Sequence, residues 1–209
     1  MQSLIDQARA FPTRHVADPR HADRFRALAA GQAPEALFIT CSDSRVVPTL
    51  ITGAEPGRLF ELRTAGNIVP PYPHDGPTGG EAATIEYAVR ALGVESVVVC
   101  GHSHCGAVGA VARGEDLSAL PAVRDWLDRS VPPRSAVRAP APDHDRPDVA
   151  AAVRAHVLEQ VDVLRAYPCV RERLAAGRLT LHAWYYEVHT GVVSAHRPDL
   201  GDGTVFSRL

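Results

Sequence analysis

Two cysteines and a histidine, carried on two short stretches about sixty residues apart, are the side chains of this sequence best equipped for chemistry. The first stretch is Cys41-Ser42-Asp43-Ser44-Arg45 and the second is His102-Ser103-His104-Cys105. Two thiolates and one imidazole can hold zinc and leave its fourth position to water, the ligand count of a catalytic site rather than a closed structural one. The two thiolates cancel most of the ion's charge, so its water should ionise at a higher pH than the ~7 seen with three imidazoles. Another group must then favour hydroxide. Asp43 can accept the hydrogen of the metal's water, and Arg45, two residues on along an extended segment, can keep that carboxylate ionised through a forked pair. A structural site with His104 or Asp43 as fourth ligand is the competing arrangement.

The elements around these stretches must bring them together. Ala36-Leu37-Phe38-Ile39 and Val97-Val98-Val99-Cys100 are apolar runs that read as buried strands ending just before each ligand group. In an open parallel sheet such loops meet where strand order reverses, and ligands bind in that crevice. Strands are expected over about 35–40, 58–63, 94–100, 179–186 and 192–195, the last two joined hairpin-fashion through Glu187–Gly191. A helix is expected over about 81–92 with Gly93 as its stop, another after Cys105, a long one over about 148–167, and a shorter one from Val170 to Gly177. Only a short helix fits between Val46 and Gly57, which holds two prolines and two glycines. Residues 64–80 read as a loop, and 121–148, with six of the seventeen prolines, as a long connection. Ahead of the first strand, helices over about 3–10 and 19–30 form an N-terminal arm of about 1–31, the second with Asp18 as N-cap and Gly31 past its end. Strands alternating with helices imply one α/β domain over 1–209, with a mostly parallel central sheet and an antiparallel last edge.

Composition narrows the partners. The 209 residues are 45% hydrophobic and 22% charged, as for a globular chain with a sizeable core. All 22 basic residues are arginine, yet they form no basic block, and the net charge of -2 argues against a nucleic-acid surface. No apolar run reaches the ~20 residues of a membrane helix and the first residues lack a signal-peptide core, which gives a cytoplasmic expectation with no membrane partner. In a reducing compartment Cys41 and Cys105 are expected to serve a metal, and Cys100 and Cys169 to be ordinary buried thiols.

Taken together, C-S-D-S-R at 41–45 and G-H-S-H-C-G at 101–106 resemble the β-class carbonic anhydrases, zinc enzymes that interconvert carbon dioxide and bicarbonate. Glu55–Phe60, Arg63–Asn67, Ile85–Ala88, His156–Val161 and Trp184–Tyr186 carry the similarity over most of the chain. The resemblance implies zinc on Cys41, His102 and Cys105, and a catalytic pair of Asp43 with Arg45. It implies a sheet in the order 2-1-3-4 with an antiparallel fifth strand. Gln32 matches a substrate-binding glutamine of the plant-type members, Phe60 and Tyr87 match apolar pocket residues, and Ala65 stands where a bulkier residue is common. In related enzymes the glutamine and aromatics come from a neighbouring subunit, so a homodimer or larger homo-oligomer is implied. Some members also adopt a closed form in which the aspartate coordinates zinc. The expected reaction is attack of zinc-bound hydroxide on carbon dioxide. The alternatives are hydrolysis of carbonyl sulfide or carbon disulfide at the same site, and a non-catalytic zinc or redox-sensing module.

Overall fold

The structure, a computed structural model, describes residues 1–72, 78–130, 149–201 and 203–209. They form two compact units, Met1–Ala33 and Pro34–Leu209.

The larger unit is built on a six-stranded sheet of order β2-β1-β3-β4-β5-β6. Its strands are β1 (Ala36–Cys41), β2 (Leu59–Thr64), β3 (Ser96–His102), β4 (Thr180–Tyr186), β5 (Val193–His196) and β6 (Phe206–Arg208). The first four run parallel, whereas β5 and β6 each pair antiparallel with the strand before. Strands β1 and β3 are buried along almost their whole length, as expected of parallel strands enclosed on both faces, and hence read as unbroken apolar runs. The chain leaves β1 for the edge at β2 and then crosses back to β3. Strand order therefore reverses between β1 and β3, the two strands that end in the candidate ligands.

Helices α4 (Gly80–Glu86, prolonged by a wide turn over Tyr87–Ala91), α5 (Gly106–Arg113), α7 (Ala150–Arg165) and α8 (Pro168–Ala175) help enclose the main core. That core takes Leu37, Ile39, Val97 and Val99 from one sheet face. The other face carries a smaller cluster of Phe38, Val98 and Cys100, with Trp184 edge-on to Phe38 at 5.9 Å. Helix α7 lies on β3 and β4 and buries Val153, His156, Val157, Gln160, Val161 and Leu164. Its approach to β3 depends on Gly101, where a Cβ would stand 2.6 Å from both Val153 Cγ1 and Val157 Cγ2. Gly101→Ala must push α7 outward, at a cost of about 1–3 kcal/mol. The expected result is a Tm lowered by about 2–4 °C for each kcal/mol; an unchanged Tm would show that α7 yields freely.

Several expectations need correction. The strands over 35–40 and 58–63 begin and end one residue later, and β3 runs on to His102. The expected 121–148 connection contains a helix, α6 (Pro121–Ser130), which tolerates its first proline because that position has no helical N–H bond to lose; the remainder, 131–148, lies outside the described residues, as does 73–77 of the expected 64–80 loop. The helix expected from Val170 to Gly177 begins earlier, with Pro168 in its first turn, as α8. Strand β6 was not anticipated, being three residues long with no alternation to read. The short α3 (Pro48–Thr52), stopped by Gly53 at φ 67°, matches its expectation.

The smaller unit holds α1 (Gln2–Phe11) and α2 (Ala22–Ala27), the latter extended by a tight turn over Leu28–Ala30. Phe11 meets Phe25 edge-on at 5.9 Å. Asp18 does not cap α2: its carboxylate takes the Arg20 N–H at 2.9 Å and the Arg20 guanidinium at 2.6 Å, which makes a turn and delays the helix to Ala22. Among the described residues no helix is long and apolar enough to cross a membrane.

Candidate metal centre

Cys41 is the last residue of β1, His102 the last of β3, and Cys105 the N-cap of α5. The sheet and this helix start bring their ligand atoms within 4.8 Å of one another, and all three side chains are buried. His102 Nδ1 is 2.9 Å from the Ser103 carbonyl, which fixes the tautomer with its proton on Nδ1. The lone pair on Nε2 is left facing the two sulfurs, and that buried atom has no hydrogen-bond partner. A buried polar nitrogen left unpaired costs about 1–3 kcal/mol, a penalty that a metal bond would remove. Two sulfurs and an oriented imidazole nitrogen form a zinc-type donor set.

The sulfurs differ in charge preference. Cys41 is driven well below the usual thiol range, chiefly by the Cys105 thiol beside it and further by His102 and the Gly66 N–H, against the opposing effect of burial. Cys105 is driven upward by the same Cys41 contact and by its own burial. The Gly66 N–H donates to Cys41 Sγ at 3.4 Å.

Asp43 follows Cys41 by two residues, and its Oδ2 lies 3.9 Å from His102 Nε2. Arg45 holds it with Nε to Oδ1 at 2.9 Å and Nη2 to Oδ2 at 2.6 Å. The segment between them is not extended, as the sequence suggested. The Arg45 N–H donates to Asp43 Oδ1 at 2.9 Å and the Val46 N–H to the Asp43 carbonyl, so a turn brings the guanidinium back onto the carboxylate. Arg45 keeps the Asp43 carboxyl well below the usual carboxylate range despite partial burial. Arg45 Nη2 also donates to the His104 carbonyl at 3.2 Å, tying the first loop to the second. His104, weighed above as a fourth ligand, is exposed at φ 57°, and its ring stands 5.9 Å from that of His189.

Sequence reasoning gave Arg63 no role, yet its guanidinium reaches from β2 to the carbonyls of Cys41 at 3.0 Å, Asp43 at 2.8 Å and Val46 at 2.7 Å. It thereby holds the loop that carries both a ligand and its neighbouring carboxylate. Behind Cys41 a tight turn over Ala65–Asn67 is fastened from below by α7. His156 Nε2 donates to the Gly66 carbonyl at 2.8 Å, and the Val69 N–H donates to Gln160 Oε1 at 2.8 Å. Burial lowers the His156 pKa, keeping the ring neutral. The only advance signal for these residues is that they fall inside R-T-A-G-N and H-V-L-E-Q-V, two of the family-like segments.

Within the larger unit the expected pocket residues do not gather at one place. Ala65 adjoins the cluster and opens on a shallow cleft lined by Ser42, Arg63, Glu81, Val123 and Trp126. The Phe60 and Tyr87 rings lie 5.9 Å apart, tilted by 40°, but Phe60 pairs in register with Leu37 whereas Cys41 pairs with Thr64. Four positions along a strand put Phe60 about 13 Å from the level of the cluster. Tyr87 is 51% exposed. Gln32 belongs to the smaller unit and is exposed.

Residues 36–193 match the family profile described as carbonic anhydrase. The chain is 47% identical over 196 residues to a carbonic anhydrase of Pseudomonas aeruginosa, covering 93% of this chain and 87% of that protein. It is 45% identical over 202 residues to carbonic anhydrase 1 of Escherichia coli O157:H7, covering 93% and 87%. Among solved structures it resembles the β-carbonic anhydrase CcaA with a TM-score of 0.86 at 39% identity, over 100% of this chain and 99% of that one. A structure described as one of two tetrameric β-carbonic anhydrases from Sordaria macrospora gives 0.77 at 32% identity, over 93% and 95%.

Proposed function

This chain belongs to the carbonic anhydrase family, in its β class, and on that premise we propose that it hydrates carbon dioxide reversibly at a zinc ion held by Cys41, His102 and Cys105. The observation that carries the metal reading is the buried, partnerless Nε2 of His102 facing two sulfurs. When bound, the ion supplies the Lewis acidity that lets a coordinated water ionise near working pH.

The chain's own groups do the remainder. Asp43, kept charged by Arg45, is a hydrogen-bond acceptor only, so it would orient the attacking oxygen by accepting a hydrogen bond from it, leaving a lone pair free toward carbon dioxide. Carbon dioxide has no charge to recognise, and apolar walls suffice for it. We assign those walls to Ala65 with Phe60 and Tyr87, and give Gln32 the hydrogen bond to the oxygen that becomes negative as bicarbonate forms. The distance between the Phe60–Tyr87 pair and the ligand cluster supports a pocket completed by a second copy, hence a homodimer or larger homo-oligomer. The tetrameric relatives from Sordaria macrospora accord with such assembly. Four free, buried cysteines support a reducing, cytoplasmic setting.

Zinc content measured beside stopped-flow carbon dioxide hydration tests the reading: stoichiometric zinc with activity that chelation abolishes is expected, and full hydration by metal-free protein would refute it. The unequal sulfurs add a prediction. With Cys41 already favouring the thiolate and Cys105 the thiol, zinc binding near neutral pH is expected to release about one proton per ion, and affinity should fall as pH drops. Titration calorimetry in buffers of different ionisation enthalpy measures that proton count; two released protons would show both sulfurs protonated beforehand.

A further inference from the structure

One side chain outside the assigned machinery reaches the metal centre through a single peptide unit. Trp126, on α6, donates its indole N–H to the Ala65 carbonyl at 3.0 Å. The Gly66 N–H donates to Cys41 Sγ at 3.4 Å. The Ala65 carbonyl and the Gly66 N–H are opposite ends of one planar, conjugated amide. A donor on the oxygen draws electron density through that amide and makes its N–H a stronger donor, the polarisation expected along a hydrogen-bond chain, which here runs from an exposed bond at Trp126 to a buried one at the sulfur.

We propose that Trp126 is a positioning residue for the metal centre, setting how much charge Cys41 Sγ gives to the metal by fixing and polarising the Ala65–Gly66 peptide. The inference rests on Cys41 being a ligand, as argued above. Local geometry makes this peptide a suitable conduit. Gly66 sits at φ 76°, where a side chain is strained, and a Cβ there would stand 3.2 Å from Ala107, so the turn has little room to rotate. Its far side is fixed by His156 on the Gly66 carbonyl and by the Thr64 hydroxyl on the Ile68 carbonyl at 2.9 Å. Trp126 engages a carbonyl whose own amide N–H points at the sulfur. Groups that hydrogen-bond behind a ligand are known to tune metal sites, commonly by 10–100-fold in affinity or activity.

Trp126→Phe keeps a ring in the cleft wall and removes only the donor. In cobalt-substituted protein the thiolate-to-metal charge-transfer band is expected to move to longer wavelength, because a sulfur with a weaker N–H partner holds its electrons less tightly. The Gly66 amide proton in the zinc protein should move upfield in the NMR spectrum. Trp126→Ala should shift the band in the same direction. If Trp126→Ala moves it and Trp126→Phe does not, wall packing rather than the donor is responsible and the proposal fails. Unchanged band and amide in a folded Trp126→Phe protein would overturn it as well. Should that variant not fold, fluorotryptophan incorporation strengthens the indole donor in the native fold, and a band moving to shorter wavelength is expected; no movement refutes the inference. A wild-type cobalt protein with no thiolate band would instead overturn the ligand assignment, and this inference with it.

Discussion

His102→Ala is expected to leave the chain unable to retain zinc at purification, with metal affinity reduced by more than about 100-fold and hydration activity lost with it. That loss exceeds the 10–100-fold typical of groups that only hydrogen-bond to ligands, because His102 supplies a bond and not its orientation. The other two donors are sulfurs whose charges repel once both ionise, and neither can take over the geometry set by the His102 ring. The ring is held by its Ser103 carbonyl bond and is completely buried, and the nearest carboxylate, Asp43 at 3.9 Å from Nε2, is itself tied to Arg45. Among the described residues only these three side chains form a compact set of potential ligands. Elemental analysis of the purified variant decides the matter: wild-type zinc content would remove His102 from the ligand set.

Asp43→Asn should retain zinc yet lower kcat by about 100-fold or more, in the range assigned to a positioned proton-handling group or an oriented electrostatic contact. The substitution keeps the shape and changes the chemistry. Arg45 offers only donors, so it will take the amide oxygen and turn the NH2 toward the metal side, putting donors where an acceptor is needed. The effect should appear in kcat more than in KM, since carbon dioxide binding draws nothing from this carboxylate. Arg45 holds the Asp43 carboxyl so far down that it stays charged throughout the neutral range. An activity change between about pH 6 and 8 therefore reports another group, since an ordinary carboxylate has already ionised below that window. Undiminished hydration by Asp43→Asn, with zinc in place, would assign the orienting role elsewhere.

How much of this could be read beforehand depends on the distance over which each residue's reasons operate. The strands ending at Cys41 and His102 were legible because their apolar runs and ligand types are neighbours in sequence. Parallel strand order around β1 and β3 followed from the family resemblance, and the structure adds a sixth strand. Arg63 and Trp126 were illegible as chemistry: each acts on backbone carbonyls more than fifteen residues away, and a carbonyl leaves no mark in a sequence. Helix α6 was hidden by the prolines around it, although Pro121 sits where a helix accepts one. Asp18 has the right type for a cap, but the nearer Arg20 competes for its carboxylate and wins.

The grip of Arg63 has a consequence for how the centre can be reached. Among the described residues strand β2 is the sheet's outer rim and pairs with β1. A side chain rooted on that rim nonetheless anchors the loop between Cys41 and Val46. Whatever stiffens, frays or extends the rim will tug at a sulfur and a carboxylate together, so an alteration with no contact to either can still detune both.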